Sequence, residues 1–499
     1  MKRRGFRPNF RTYNVLLSGL SRIDNWEEHS IQFKNAQALW RGFLERIESL
    51  KKINPEHEEI DPNPAGFYVW ILGANKDYNA VFDVLKDLDE DGPFSPTEFI
   101  YSNILRCIAH RTQLAPGDKE DVGYRNASDA KLVWKDLTKR AVKNPEILSD
   151  HVVVHFIRAL MNGRPADKLY AFDVVHDHFG LSKPGEERPP SRIKVTPMVL
   201  DSALLLCLRT QKYRLCIHYV QQIIDEAIAS GQKTVPDHGN MEKVLQSYAA
   251  MTIAGSAGES DRAVETIEWM HQYHALGWDV KPRPITYGWA LMSCWRGGDW
   301  ASAARITELM TGCHAEDFAD GSKTSSSPRL DRRTQDRTIA PNARDMSCML
   351  RAALASGDVA NMRQCLRMAT FFGGLRSANG TRYMDAYLAQ GQLYTHLPTS
   401  TASKQEPFYS TKVTSTLADV LTRVLEGTNP AADTPELKVW RGLRVRVKKI
   451  LRESVKPKVK TPDSELEPLG SAGGLEAVDR FVDYDLATRS QKSSRITRR

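Results

Sequence analysis

One block recurs along this 499-residue chain and limits its fold more than any other feature. A proline stands a few residues before an apolar-rich run of about ten residues at helical spacing. The first copy is Gly5-Phe6-Arg7-Pro8-Asn9-Phe10-Arg11-Thr12-Tyr13-Asn14, continuing as Val15-Leu16-Leu17-Ser18-Gly19-Leu20. Further copies begin at Pro62-Asn63, Pro96-Thr97, Pro236-Asp237, Pro282-Arg283 and Pro341-Asn342. Two weaker ones, at 150–160 and 196–208, lack the leading proline. Pro62 and Pro96 are 34 residues apart. A unit of that size cannot bury a hydrophobic face alone, so its repetition predicts a stack of like units.

Each copy reads as helix, short turn, helix. In the copy after Pro282, the first helix is expected over about 286–295 and the second over about 300–310. Gly297-Gly298-Asp299 separates them, glycine suiting a helix C-terminus and aspartate the next N-cap. Asn75-Lys76-Asp77 and Gly357-Asp358 do the same elsewhere. Proline suits the junction between units because it cannot occupy a helix interior. Insertions are expected at about 22–32, 50–60, 113–126, 181–193, 253–259 and 311–338. The longest, 312–338, is polar and is expected to be a disordered loop.

Composition narrows the class. Hydrophobic residues make up 41% and charged residues 26%, ordinary values for a globular chain. No apolar run approaches the roughly 20 residues a membrane-spanning helix needs, so integral membrane insertion is not expected. The 7 cysteines form no CxxC and sit mostly within apolar helical stretches, as small buried hydrophobes would. No phosphate-binding glycine loop, nucleophile elbow or zinc-ligand pattern occurs, so neither cofactor nor metal is expected, and no enzyme. The net charge of +8 is unevenly placed. Of 69 Lys+Arg and 61 Asp+Glu, 16 and 8 lie in 438–499, leaving 53 of each sign before it.

The block at Gly5, Pro8, Asn9, Thr12, Tyr13, Asn14, Leu16, Leu17, Gly19 and Leu20 resembles the junction of the pentatricopeptide repeat family, and 280–291 is similar. The tetratricopeptide signature, Trp-x-x-Leu-Gly-x-x-Tyr, is absent. The resemblance covers roughly 1–372. It implies an all-α fold: a right-handed α-solenoid of about eight helix-turn-helix repeats over 1–372. C-terminal capping helices would follow in 373–437, at about 381–395 and 412–426. A basic amphipathic helix at 438–460 and a flexible, disordered tail at 461–499 complete the expected organisation. Met1-Lys2-Arg3-Arg4-Gly5 is similar to the end of a second helix in that family. The chain is therefore expected to start within a repeat, with any targeting segment upstream of it.

In that family the first helices read RNA, one base per repeat. Carried over by position, the first-site residues are Asn14, Tyr68, Ser102, Val154, Ser202, Glu242, Gly288 and Ser347. The second-site residues are Asn63, Thr97, Asp237, Arg283 and Asn342. Ser202 with Asp237 is similar to a purine-reading pair and Asn14 with Asn63 to a pyrimidine-reading pair. Val154 and Gly288 offer no side-chain hydrogen bond and Glu242 would place a carboxylate near phosphates, so a consecutive base code is not expected. The 438–460 segment has ten basic residues and one acid, Glu453, beside the apolar stripe Val439, Trp440, Leu443, Val445, Val447, Ile450 and Leu451. Arg441, Arg444, Lys448, Lys449 and Arg452 are its candidate phosphate contacts.

The resemblance implies a non-catalytic RNA-binding protein of the mitochondrial matrix. Its expected partner is mitochondrial mRNA or rRNA, and its expected work is transcript or rRNA processing, stability or translation. Two alternatives stand beside it: a structural or assembly component of the mitochondrial small ribosomal subunit, bound to its proteins, and a protein scaffold for respiratory-complex assembly.

Overall fold

The computed structural model describes residues 8–23, 25–114, 119–322, 327–331, 338–375, 382–388, 406–427 and 434–454. Among them the regular structure is helical, apart from an isolated bridge between Cys313 and Leu330. Two compact units emerge: Met1–Val244 with His274–Val280, and Leu245–Tyr273 with Lys281–Arg499.

The first unit begins with five helix pairs. They are α1 (Phe10–Leu20) with α2 (Ser30–Lys51), α3 (Asn63–Ala74) with α4 (Tyr78–Lys86), α5 (Glu98–Leu114) with α6 (Lys119–Ala141), α7 (Asp150–Leu160) with α8 (Pro165–Phe179), and α9 (Pro197–Arg209) with α10 (Tyr213–Ser230). Successive first helices also touch, α1 on α3, α3 on α5, α5 on α7 and α7 on α9, so they form one continuous layer. α11 (His238–Ile253) contributes its first half to this unit, where the Asn240 amide donates to the Pro197 carbonyl at 3.2 Å.

The second unit holds the rest of α11 with α12 (Glu259–Ala275) up to Tyr273. Two pairs follow, α13 (Pro284–Gly297) with α14 (Trp300–Thr311) and α15 (Ala343–Ala355) with α16 (Val359–Gly374). Then come α17 (Tyr383–Leu388), α18 (Glu406–Glu426) and α19 (Pro435–Ser454). α18 lies on α15 as α15 lies on α13, and α19 pairs with α18 as a second helix pairs with a first. The helices expected as a cap and a separate basic segment thus build one more pair of the stack.

The junction chemistry has a local cause. Pro8, Pro96, Pro236, Pro282 and Pro341 immediately precede the cap residues Asn9, Thr97, Asp237, Arg283 and Asn342. Proline disfavours helix in the residue before it, so the helix cannot run back across the junction. Asn9 Oδ1 then accepts from the Thr12 amide at 3.0 Å, and Asn342 forms a reciprocal box with Asp345. Between α13 and α14, Gly298 takes φ +66° and Asp299 Oδ1 accepts from the Ser302 amide at 3.1 Å.

Two expected insertions differ from what the fold contains. In 113–126, α5 runs to Leu114 and α6 starts at Lys119, so long helices occupy most of that stretch. The described part of 312–338 is anchored rather than loose. Phe318 is fully buried against Phe371 and Phe372, and Asp317 accepts from the Arg329 amide at 2.6 Å. One aromatic residue within a polar stretch suffices to tie the loop to α16. Residues 323–326 and 332–337 of that loop lie outside the described residues, as do Met1–Gly5, 389–395, 455–460 and the 461–499 tail. α17 covers only Tyr383–Leu388 of the helix expected at 381–395, and α18 begins at Glu406 where 412 was expected.

Candidate nucleic-acid interface

The caps supply a common ruler for the first helices. Four residues past the cap stand Tyr13, Gly66, Tyr101, Val153, Leu200, Met241, Tyr287 and Met346, every one of them buried. Three are tyrosines that reach into the layer of second helices. Tyr13 donates to the Gly42 carbonyl at 3.0 Å, Tyr101 to Asp136 at 2.5 Å, and Tyr287 lies 2.8 Å from His271. The next position lies about 100° further around each first helix. It holds Asn14, Phe67, Ser102, Val154, Asp201, Glu242, Gly288 and Ser347.

This ruler moves two of the expected base-reading residues. Tyr68 is a core residue, stacked on Trp40 with ring centroids 4.9 Å apart, and burial pushes its phenol up to about 12. Ser202 is fully buried and donates to the Val199 carbonyl at 2.7 Å. Their places in the register belong to Phe67 and Asp201. The helix N-terminus, not the apolar pattern, sets this count, and a one-residue slip rotates a side chain by about 100°.

Exposure along that position falls after the third helix. Asn14, Phe67 and Ser102 are half-buried, whereas Val154, Asp201, Glu242 and Ser347 are at most 4% exposed. Gly288 leaves room for its neighbour: a Cβ there would meet Asp345 Oδ1 at 3.2 Å and the Arg344 guanidinium at 3.3 Å. Asp201 is committed to an ion pair, with Lys243 Nζ at 2.5 Å and an Arg158 nitrogen at 3.7 Å. The expected second-site residues have structural tasks. Asp237 and Asn342 cap α11 and α15 by accepting from Asn240 and Asp345 amides. Thr97 and Arg283 occupy cap positions, and Asn63 bonds to Asp61. The oxygens Asn14 Oδ1, Thr97 Oγ1 and Ser347 Oγ accept no hydrogen bond among the described residues.

A different set of side chains gives the first helices their charge. Nine residues past the caps Thr97, Ser149 and Asn342 stand Arg106, Arg158 and Arg351. In the first unit, Arg106 lies over the Trp70 ring at 3.9 Å, and His110 is 6.0 Å from that ring. Burial first, then the neighbouring Arg106, holds His110 below its usual range. His155 on α7 is held well below it, by burial, then by Arg158, Arg106 and His151. Five cationic or titratable nitrogen groups from two adjacent helices therefore share one field, with Asp201 facing Arg158. In the second unit, Arg351 and Arg296 lie over Trp295 at 4.4 and 5.5 Å, and Arg344 lies over Trp289 at 4.6 Å. The signal for these residues was available in the sequence. Position nine follows position five by one helical turn on the same face, and three arginines recur there.

On α19, Leu437, Trp440 and Val447 are buried, while Val439 and Val445 of the expected apolar stripe are exposed. One flank faces the preceding helices, where Glu436 meets Arg367 at 2.5 Å and Arg446 meets Asp385 at 2.7 Å. The other flank carries Arg444, Lys448 and Arg452 at four-residue spacing, with Arg441 beside them. Lys449 is exposed on the outward side. Among the described residues no group of three or more His, Cys, Asp or Glu could hold a metal ion, and no helix is long and apolar enough to cross a membrane.

The fold defines a class: stacked helix pairs whose first helices carry arginine, histidine and tryptophan in the first unit and arginine and tryptophan in the second. No family model matches the sequence, and no curated protein matches it. Solved structures similar to the chain are of a pentatricopeptide repeat protein, PPR10. In complex with an 18-nt psaJ RNA element it aligns with a TM-score of 0.40 and 12% identity, over 91% of this chain and 57% of that one. PPR10 from maize aligns with a TM-score of 0.26 and 11% identity, over 92% and 76%. The chain thus spans little more than half the length of the RNA-bound structures.

Proposed function

We propose that this protein binds RNA without catalysing its chemistry, as a degenerate pentatricopeptide-type repeat protein. The observation that carries the reading is the row Trp70, Arg106, His110, His155 and Arg158 on the layer formed by α3, α5 and α7. Arginine and imidazole nitrogens interleaved with a flat aromatic ring supply what single-stranded RNA needs: cationic donors for phosphate and planar surfaces for bases. The α19 flank adds Arg444, Lys448 and Arg452 as further phosphate contacts. The test is RNA binding by the full chain across a salt series. Wild-type protein is expected to bind a single-stranded oligonucleotide with affinity that falls as salt rises, and Arg106→Glu is expected to weaken it several-fold. Absence of binding at low salt overturns the reading.

The sequence resemblance extends the proposal to mitochondrial gene expression. Burial of the base-reading position from Val154 onward favours recognition of RNA shape and backbone over a base-by-base code. That favours the ribosomal alternative, in which the protein grips folded rRNA in the small mitochondrial subunit. Co-sedimentation with that subunit at high salt supports this version, whereas crosslinking to one short transcript segment supports a transcript-specific factor.

A further inference from the structure

We propose that Trp295, Arg296 and Arg351 form a phosphodiester-binding seat for single-stranded RNA in the second unit. This rests on the RNA-binding reading and assigns it a site that joins Arg351 of the repeat register to Trp295 and Arg296, which stand outside that register position. Arg351 on α15 and Arg296 at the end of α13 both lie over the same indole, at 4.4 and 5.5 Å. All three side chains are half-buried, so they are reachable from solvent yet partly shielded from it. The indole fixes the guanidinium planes, which removes much of the side-chain freedom an arginine otherwise loses on binding.

The two helices that carry the seat hold few acids. α13 contains no acidic residue, and α15 contains one, Asp345. That carboxyl is fully buried, accepts from the Asn342 amide at 3.1 Å, and is pushed up to about 6 by burial. A third guanidinium, Arg344, stands on the same helix as Arg351. Neither Arg296 nor Arg351 has a carboxylate partner among the described residues; Arg296 donates to the Ala249 carbonyl at 3.2 Å. Burial holds both guanidiniums below their ordinary range, and for Arg296 the neighbouring Arg344 and Arg351 add to it. A half-buried cation cluster of this kind is costly in the free protein and gains when an anion enters, because the anion meets a lower dielectric than on an open surface.

Two features select nucleic acid over an acidic peptide. Each guanidinium offers a fork matched to phosphate oxygens. A guanidinium plane is also a surface on which an unpaired base stacks. Carboxylate side chains would use the first feature and not the second.

The test uses the full chain and a fluorescein-labelled oligouridylate of about 15 nucleotides in a salt series. Losing two phosphate contacts lowers the slope of log affinity against log salt by about 1.4 on single strands. Arg296→Gln with Arg351→Gln is therefore expected to reduce the slope by that amount and weaken binding about tenfold near 0.1 M salt. Arg351→Lys keeps the charge and loses the fork, so it should retain the slope and weaken binding; it serves if the double variant does not fold. Wild-type binding with an unchanged slope and affinity in both variants overturns the seat alone. Competition by poly-glutamate as effective as by oligouridylate of equal charge also overturns it. No binding by the wild-type chain at low salt overturns the RNA-binding reading itself.

Discussion

Asp201 allows a structural role and a reading role to be separated in one experiment. It stands at the position that the repeat register assigns to base reading, yet it is 4% exposed and holds Lys243 at 2.5 Å and Arg158 at 3.7 Å. Lys243 is itself buried, at 7% exposure. Removing the charge at Asp201 leaves that ammonium without its nearest counter-ion. Breaking a buried pair by removing one partner costs about 3–5 kcal/mol. Asparagine keeps the shape and one acceptor oxygen, which places Asp201→Asn near the low end, about 3 kcal/mol. At about 2–4 °C per kcal/mol for a unit of this size, the melting midpoint should fall by roughly 6–12 °C. Adding Lys243→Met removes the stranded ammonium and should recover part of the loss. Thermal melting followed by circular dichroism measures both, and oligonucleotide binding below the transition should show unchanged base preference. A midpoint within about 2 °C of wild type, joined to an altered base preference, would refute the assignment of Asp201 to the fold.

Three further outcomes are expected. Gly123 on α6 lies against the Asn162 carbonyl so closely that an added Cβ would sit 2.1 Å from the oxygen. Gly123→Ala should therefore lose about 1–2 kcal/mol in urea denaturation despite the better helix propensity of alanine. Asp345, raised to about 6 by burial, stabilises the fold fully below the unfolded carboxyl range near 3.8 and loses that contribution as pH rises through 6. Asp345→Asn should accordingly match wild type near pH 4 and exceed it at pH 7.5 by up to about 3 kcal/mol; a difference that does not change with pH contradicts the shift. Asp320 moves the other way, lowered to about 2 chiefly by its bond from Arg363, with Arg367 adding to it. Its stabilisation is present above about 4 and lost as pH falls toward 2. Because the pair is partly exposed, Asp320→Asn should cost no more than about 1 kcal/mol at neutral pH, and less in high salt.

The helix pairs were legible because their signals are local. Asn9, Asp299 and Asn342 cap helices through bonds spanning three residues, and Gly298 turns the chain through its own backbone angle. The proline junctions were equally plain, and their place directly before the caps adds the ruler that counts each first helix. The apolar pattern of α3 and α9 does not fix that count. Those helices are buried on nearly every side, so hydrophobicity alone gives them no face, and Tyr68 and Ser202 stand one residue beyond the register. The ordered loop around Phe318 was illegible for a related reason. A single buried aromatic ring carries little weight in composition and much in packing.

The sequence by itself determined that the protein is built of repeated helix pairs and that a basic helix follows them, because caps, prolines and charge runs act within a few residues of themselves. Only the tertiary structure decided what the first helices expose. It buried Val154, Asp201, Glu242 and Ser347, which the repeat register offers as readers, and made α18 and α19 a further pair of the stack. It also brought Arg106 to Trp70 and Arg351 to Trp295, pairs that stand 36 and 56 residues apart along the chain. Which side of a helix meets solvent depends on neighbours distant in sequence, and a repeat pattern fixes the period of those neighbours without fixing what each one covers.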